Sequence, residues 1–221
     1  MTRFSAALLC AVWLIACDGN GFYVTETNAM KYCYADVTGD GNEELILLTP
    51  SAETTPYGQA GSSLYILDPG KDLIGRHEII SEFDVKDMKP LTVMAGDVNR
   101  DGVKEVSLKV YKTAEYSPEY AQRPFFFNVS RGKLEAVWLG SRLARPFVDY
   151  ALADLNGDGY EEIASLEMAA EGYLLAAYSW DSFGFTCYAK SDVHKNIENL
   201  YNMESPETWI KIALESISGR Q

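Results

Sequence analysis

From residue 30 onward the chain alternates short apolar runs with turn-forming stretches, and the order of runs repeats three times. The first runs are Met30 to Ala35, Leu91 to Ala95 and Phe147 to Ala153. The second are Leu45 to Leu48, Val106 to Val110 and Ile163 to Leu166. The third are Ser63 to Leu67, Phe125 to Val129 and Tyr173 to Tyr178, and the fourth are His77 to Ile80, Leu134 to Leu139 and Phe185 to Tyr188. Short runs rich in β-branched, aliphatic and aromatic residues, bounded by Gly, Asp, Asn and Ser, read as strands. Turns such as Asp68-Pro-Gly-Lys71, Ser130-Arg-Gly-Lys133 and Asp181-Ser-Phe-Gly184 separate the third run from the fourth. The expected fold class is therefore all-β: about three four-stranded antiparallel repeats, at about 30–90, 91–145 and 146–190, within a repeat domain spanning 30–190.

Between the first and second runs lies the same acidic loop each time. It reads Asp36-Val-Thr-Gly-Asp-Gly-Asn-Glu-Glu44, Asp97-Val-Asn-Arg-Asp-Gly-Val-Lys-Glu105 and Asp154-Leu-Asn-Gly-Asp-Gly-Tyr-Glu-Glu162. The copies recur at a period of about 60 residues, the mark of a repeat architecture. Counting from the first Asp, position 1 is Asp36, Asp97 and Asp154; position 3 is Thr38, Asn99 and Asn156; position 5 is Asp40, Asp101 and Asp158. Gly occupies position 6, and Glu44, Glu105 and Glu162 occupy position 9. Oxygen donors at alternate positions, coiled around a Gly that takes φ > 0, suit a hard cation such as calcium. Position 7 (Asn42, Val103, Tyr160) is then expected to give its backbone carbonyl and to leave its side chain free to vary. A turn alone needs Gly and one Asx and has no evident use for the Glu, and three close carboxylates repel without a cation. An EF-hand is excluded, because the residues after position 9 read as strand and no Glu stands at position 12. Thr38 is a poorer ligand than an amide, and Arg100 and Lys104 oppose a cation in the second loop. The third loop is accordingly expected to bind tightest and the second weakest.

This pattern resembles the FG-GAP/VCBS-type repeats of integrin-like β-propellers, whose blades carry an Asp-x-Asp/Asn-x-Asp-Gly-x-x-Asp/Glu loop between two strands. The resemblance covers roughly residues 30 to 190. It implies a propeller-like scaffold holding up to three calcium ions at the loop positions named above. Closed propellers usually need at least four blades. Three repeats would close by borrowing strands from the termini or by pairing with a second copy, a homo-oligomer, or else would remain an open stack.

The two ends differ from this middle. Arg3 followed by the apolar run Phe4 to Ala16 fits a signal peptide over 1–16 and is too short to span a bilayer. Leu14-Ile-Ala-Cys17 resembles a bacterial lipobox, which implies cleavage before Cys17, lipid on that cysteine, a linker over 17–29 and anchoring of an exported protein to the bacterial membrane. The alternative is an ordinary signal peptide with an incidental cysteine. At the other end, within 191–221, Ser205 to Ile217 reads as a helix with Trp209, Ile210, Ala213, Leu214 and Ile217 on one face. Cys33 and Cys187 either bridge the first repeat to the last or stay as free thiols.

Composition narrows the partners. A net charge of −13 argues against nucleic acid and anionic membrane surfaces. No catalytic motif appears: His77 and His194 stand apart, and Ser130-Arg-Gly-Lys133 falls at a turn. The expected function is an envelope-anchored, calcium-stabilised binding or scaffolding lipoprotein, not an enzyme, whose partner is a protein or a glycan. Two alternatives are a polysaccharide-acting hydrolase or lyase, and a structural module with decayed loops. The 14 Tyr and 4 Trp can build a glycan-binding face or serve as core and cross-strand pairs; clustering of aromatic rings at the surface would separate the two.

Overall fold

The computed structural model describes residues 21–25, 31–140 and 142–195. These form three antiparallel sheets, none closed on itself. The first contains β1 (Gly21–Val24), β2 (Lys31–Ala35), β3 (Glu44–Thr55), β4 (Gly58–Leu67) and β5 (Gly75–Asp84), hydrogen-bonded in the order β1-β5-β4-β3-β2. A 3-10 turn, Lys86–Met88, leads to the second sheet: β6 (Pro90–Gly96), β7 (Glu105–Ala114), β8 (Ser117–Ser130) and β9 (Lys133–Leu139). The third contains β10 (Phe147–Ala153), β11 (Glu162–Ala169), β12 (Gly172–Asp181) and β13 (Gly184–Lys190). The second and third sheets follow chain order; only the first gains a fifth strand, at its outer edge, from ahead of the repeats.

Period-two alternation fixes how the sheets stack. On β3, Ile46 and Leu48 face the second sheet and pack with Val106, Leu108, Val110, Phe125 and Phe127, while Leu45 and Leu47 join Val24 and Leu67 on the far face. The second sheet turns its other face, with Phe126, toward Phe147, Tyr150, Ile163, Leu174 and Tyr178 of the third. It is thus buried on both sides, and two hydrophobic layers run between three sheets. Deleting a side chain such as Leu108, fully buried in the first layer, would cost about 2–5 kcal/mol.

The second layer carries polar pairs as well. Tyr150 and Ser107 hydroxyls lie 2.8 Å apart across it. Buried Glu167 accepts hydrogen bonds from Tyr178 and Ser165 and pairs with Arg145 at 3.3 Å. A buried carboxylate needs such partners, since isolated it would cost several kcal/mol. Burial raises the Tyr150 and Tyr178 hydroxyls above the ordinary phenol range.

Cys33 and Cys187 are free thiols and make no bridge. Cys33 packs in the layer between the first and second sheets and Cys187 in the layer between the second and third, so the stacking separates them. Burial pushes the Cys33 thiol up to about 12, which leaves it protonated and a poor nucleophile. The signal segment, Cys17 and the helix over Ser205 to Ile217 lie outside the described residues.

Candidate metal centre in the acidic loops

The three loops lie at equivalent places, each joining the first strand of a sheet to the second: β2 to β3, β6 to β7 and β10 to β11. The Asp at position 1 organises each one. Asp36 accepts from the backbone N–H of Gly39 (2.7 Å), Asp40 (3.2 Å) and Gly41 (2.8 Å). Asp154 repeats this with Gly157 (2.7 Å), Asp158 (3.1 Å) and Gly159 (2.9 Å), and Asp97 takes Arg100 (2.8 Å) and Gly102 (3.0 Å). The bond from the Gly159 N–H, with help from its neighbours, holds the Asp154 carboxyl below the usual range. Position 6 takes φ of 89°, 89° and 90° at Gly41, Gly102 and Gly159, where glycine is required. Position 4 is left-handed too. Gly39 and Gly157 sit at 75° and 79°, but in the second loop Arg100 holds φ 68°, at a cost of about 1 kcal/mol or more.

The Glu at position 9 has a use in the turn itself, contrary to the sequence expectation. One oxygen caps the N–H of position 2: Glu44 takes Val37 at 2.9 Å, Glu105 takes Val98 at 3.0 Å, and Glu162 takes Leu155 at 2.9 Å. These carboxylates are buried at the start of β3, β7 and β11. Burial pushes the Glu105 carboxyl up to about 7, against the pull of the Val98 N–H, and raises Glu162 for the same reason.

The second Glu oxygen separates the loops. In the second, Asn99 Nδ2 donates to both Asp101 (2.9 Å) and Glu105 (2.6 Å). In the third, Asn156 Nδ2 donates to both Asp158 (3.1 Å) and Glu162 (2.7 Å). The amide nitrogen stands between two carboxylates, as a cation would. Ligation there needs the amide to turn over and present its oxygen. Thr38 has a single proton, given to Glu44 at 3.0 Å, and cannot bridge. Oxygens of Asp36, Asp40 and Glu44 lie within 4.8 Å of one another, a carboxylate group able to hold a metal ion. An all-oxygen set of this kind fits a hard cation without specifying which.

The third loop is also neutralised from its neighbour. Arg100 reaches out of the second loop to Asp158 (2.8 Å) and Glu162 (3.5 Å), its guanidinium 5.4 Å from the centre of the Tyr160 ring. Lys104 likewise leaves its own loop for Glu161 (2.8 Å), whose other oxygen accepts the Asp97 N–H (2.8 Å). The main chain repeats the link, Lys104 N–H to Asp36 carbonyl (3.4 Å) and Glu161 N–H to Asp97 carbonyl (3.3 Å). Two of the three position-7 side chains also make contacts between loops: Val103 lies where a Cβ on Gly39 would come within 3.2 Å of it, and the Tyr160 ring faces the Arg100 guanidinium. The two basic residues expected to weaken the second loop thus act on the third. Among the described residues ion pairs reach the carboxylates of the third loop and not those of the first or second, and only the first brings three carboxylates together as a group that could hold a metal ion.

Other sequence candidates have structural places. Ser130 to Lys133 forms the β8–β9 turn, with Arg131 and Gly132 at φ 50° and 71°. His77 is buried, its ring nitrogens 2.9 and 3.0 Å from the Asp68 and Leu73 carbonyls.

No protein-family model and no curated protein matches the chain. Among solved structures it is similar to the exotype rhamnogalacturonan lyase YesX, at 15% identity and a TM-score of 0.48. The match covers 75% of this chain and 33% of that one.

Proposed function

We propose that this chain is an exported, calcium-stabilised binding or scaffolding module, its three sheets forming consecutive blades of a propeller-like array. The observation that carries the reading is the row of acidic loops. They stand at equivalent places in three stacked sheets, joined each to the next by main-chain hydrogen bonds, and the first keeps Asp36, Asp40 and Glu44 together without a basic partner among the described residues. Calcium belongs in the first loop. Arg100 and the Asn156 amide replace it in the third, and the Asn99 amide replaces it in the second. Of the three expected ions, one is retained and two positions have become internal braces. The apolar run ahead of Leu14-Ile-Ala-Cys17 supports export and a lipid anchor at Cys17.

Extracellular calcium modules bind at about 0.1–1 mM. At roughly 1 mM calcium and a constant of roughly 0.1 mM, one site adds about 1.4 kcal/mol. The test is thermal unfolding in EDTA, then in millimolar calcium, with magnesium as control. Calcium alone should raise the melting temperature, and Asp36→Asn with Asp40→Asn should remove the rise. An identical curve in EDTA and calcium would leave all three loops as hydrogen-bonded turns.

A further inference from the structure

Away from the acidic loops, at the far ends of β3 and β7, two hairpins carry an aromatic row. Tyr57 at the β3–β4 tip meets Tyr111 of β7 edge-on, with ring centres 5.6 Å apart. Tyr111 in turn lies 5.3 Å from Tyr120 of β8, which stands two residues from Tyr111's cross-strand partner Gln122. Lys89 sits 5.3 Å from the centre of the Tyr120 ring and is tied to Glu53 at 2.6 Å, so the row bridges the first and second sheets. Tyr116, 85% exposed, projects from the tip of the same β7–β8 hairpin, and Tyr57 and Tyr120 are each more than half exposed. Large exposed apolar groups in contact across two sheets are not an incidental surface feature.

The kind of partner follows from what surrounds the rings. Every exposed large hydrophobic on these two hairpins is a tyrosine. No large aliphatic side chain, which would fill a dry protein interface, is exposed among the described residues of these hairpins; Thr55, Gln59 and Glu53 on the β3–β4 hairpin carry hydroxyl, amide and carboxylate groups, and Lys89 stands at the Tyr120 ring. A sugar ring presents an apolar C–H face bordered by hydroxyls, and needs a flat ring with hydrogen-bonding groups at its edge. Net charge of −13 disfavours acidic polymers. We infer that the Tyr57–Tyr111–Tyr120 row is a binding site for a neutral polysaccharide chain, laid across the two hairpins with sugar faces on the exposed rings. The inference deepens the binding-module reading above and needs nothing from the metal loop.

Isothermal titration calorimetry of the full chain with cellohexaose, xylohexaose and chitohexaose, and with polygalacturonate as the acidic control, tests it. At least one neutral hexasaccharide should bind, and Tyr57→Ala with Tyr120→Ala should weaken it at least about tenfold, or about 1.4 kcal/mol. Because these rings are exposed, the variant's melting temperature should stay that of the parent. No heat with any neutral sugar, binding that survives the double substitution, or binding of polygalacturonate alone would overturn the proposal. So would a concentration-dependent dimer that the substitutions abolish in the absence of sugar binding, which would make the row an interface between copies. Melting the same samples with calcium and with EDTA keeps the two readings apart. A calcium shift without sugar binding sinks this inference alone, and sugar binding without a calcium shift sinks only the metal assignment.

Discussion

Arg100 carries two costs at once: a left-handed backbone where the other loops have glycine, and a side chain committed to a neighbouring loop. Strain of this kind persists only where the surroundings compensate it, here through Asp158, Glu162 and the Tyr160 ring. Arg100→Gly should therefore change stability in EDTA little, because relief of about 1 kcal/mol of backbone strain offsets a partly exposed ion pair. In calcium the same variant should melt higher than its EDTA control by about twice the parent's increment, since a second acidic loop is released. An increment equal to the parent's would show that the guanidinium is not standing in for a cation. Glu105 supplies the pH counterpart. Its carboxyl is pushed up to about 7 in the folded chain by burial, above the ordinary 4.5. A raised carboxylate favours the folded state when protonated, so its contribution is complete below about pH 4.5 and is lost as pH rises through about 7. Without metal, stability should fall across that window by on the order of 2 kcal/mol. Denaturant titrations between pH 4 and 8 in EDTA check it: Glu105→Gln should flatten the decline, and an unchanged slope would assign it to other groups.

At the scale of the elements, each acidic loop is first a hydrogen-bonded turn, and the first also gathers three carboxylates that could hold a metal ion. The position-9 Glu ends the loop by capping the position-2 N–H, and in the first loop Glu44 also belongs to the carboxylate group that could hold a metal ion. Substitutions at Glu44 separate the two roles. Glu44→Ala leaves the Val37 N–H without its acceptor and should cost about 1–3 kcal/mol even in EDTA. Glu44→Gln keeps an acceptor, so it should melt near the parent in EDTA while losing the calcium increment; if it loses both, the cap requires the charge. The run order, the loops and the four-strand unit were legible because they depend on neighbours in sequence: alternation for the strands, and Gly and Asx spacing for the turns. The partners of Arg100, Lys104 and Glu161 were not, because each lies in a neighbouring repeat and is reached only through sheet stacking. Arg100 did leave a trace, as the one bulky residue at a position that is otherwise Gly. The Glu cap was missed because a carboxylate set for a cation and one set for an N–H look alike in sequence. Separation of Cys33 from Cys187 is likewise a property of the stack, with each thiol in a different layer.

For the whole molecule, the arrangement of charge sets how much metal it takes up. Nine of the 32 acidic residues stand at positions 1, 5 and 9 of the loops, stacked side by side in a chain of net charge −13. Three bound ions would offset six of those charges. The structure distributes the compensation differently, with Arg100 and Lys104 crossing from the second loop to the third and amide donors set between carboxylates in both. Uptake should therefore be one calcium per chain in the sub-millimolar range, not three. For a chain of this size 1 kcal/mol moves the melting temperature by about 2–4 °C, so one site contributing about 1.4 kcal/mol gives a rise of about 3–6 °C in 1 mM calcium. Three equal sites would give about three times that. Equilibrium dialysis against calcium, read beside the melting curve, decides between them. One ion with a rise of a few degrees, both lost in Asp36→Asn with Asp40→Asn, places the site in the first loop. Two or three ions surviving that double substitution would mean that the amides of Asn99 and Asn156 turn over to ligate and that the Arg100 pair yields to metal, making the sheet stack a calcium-filled array rather than a self-braced one.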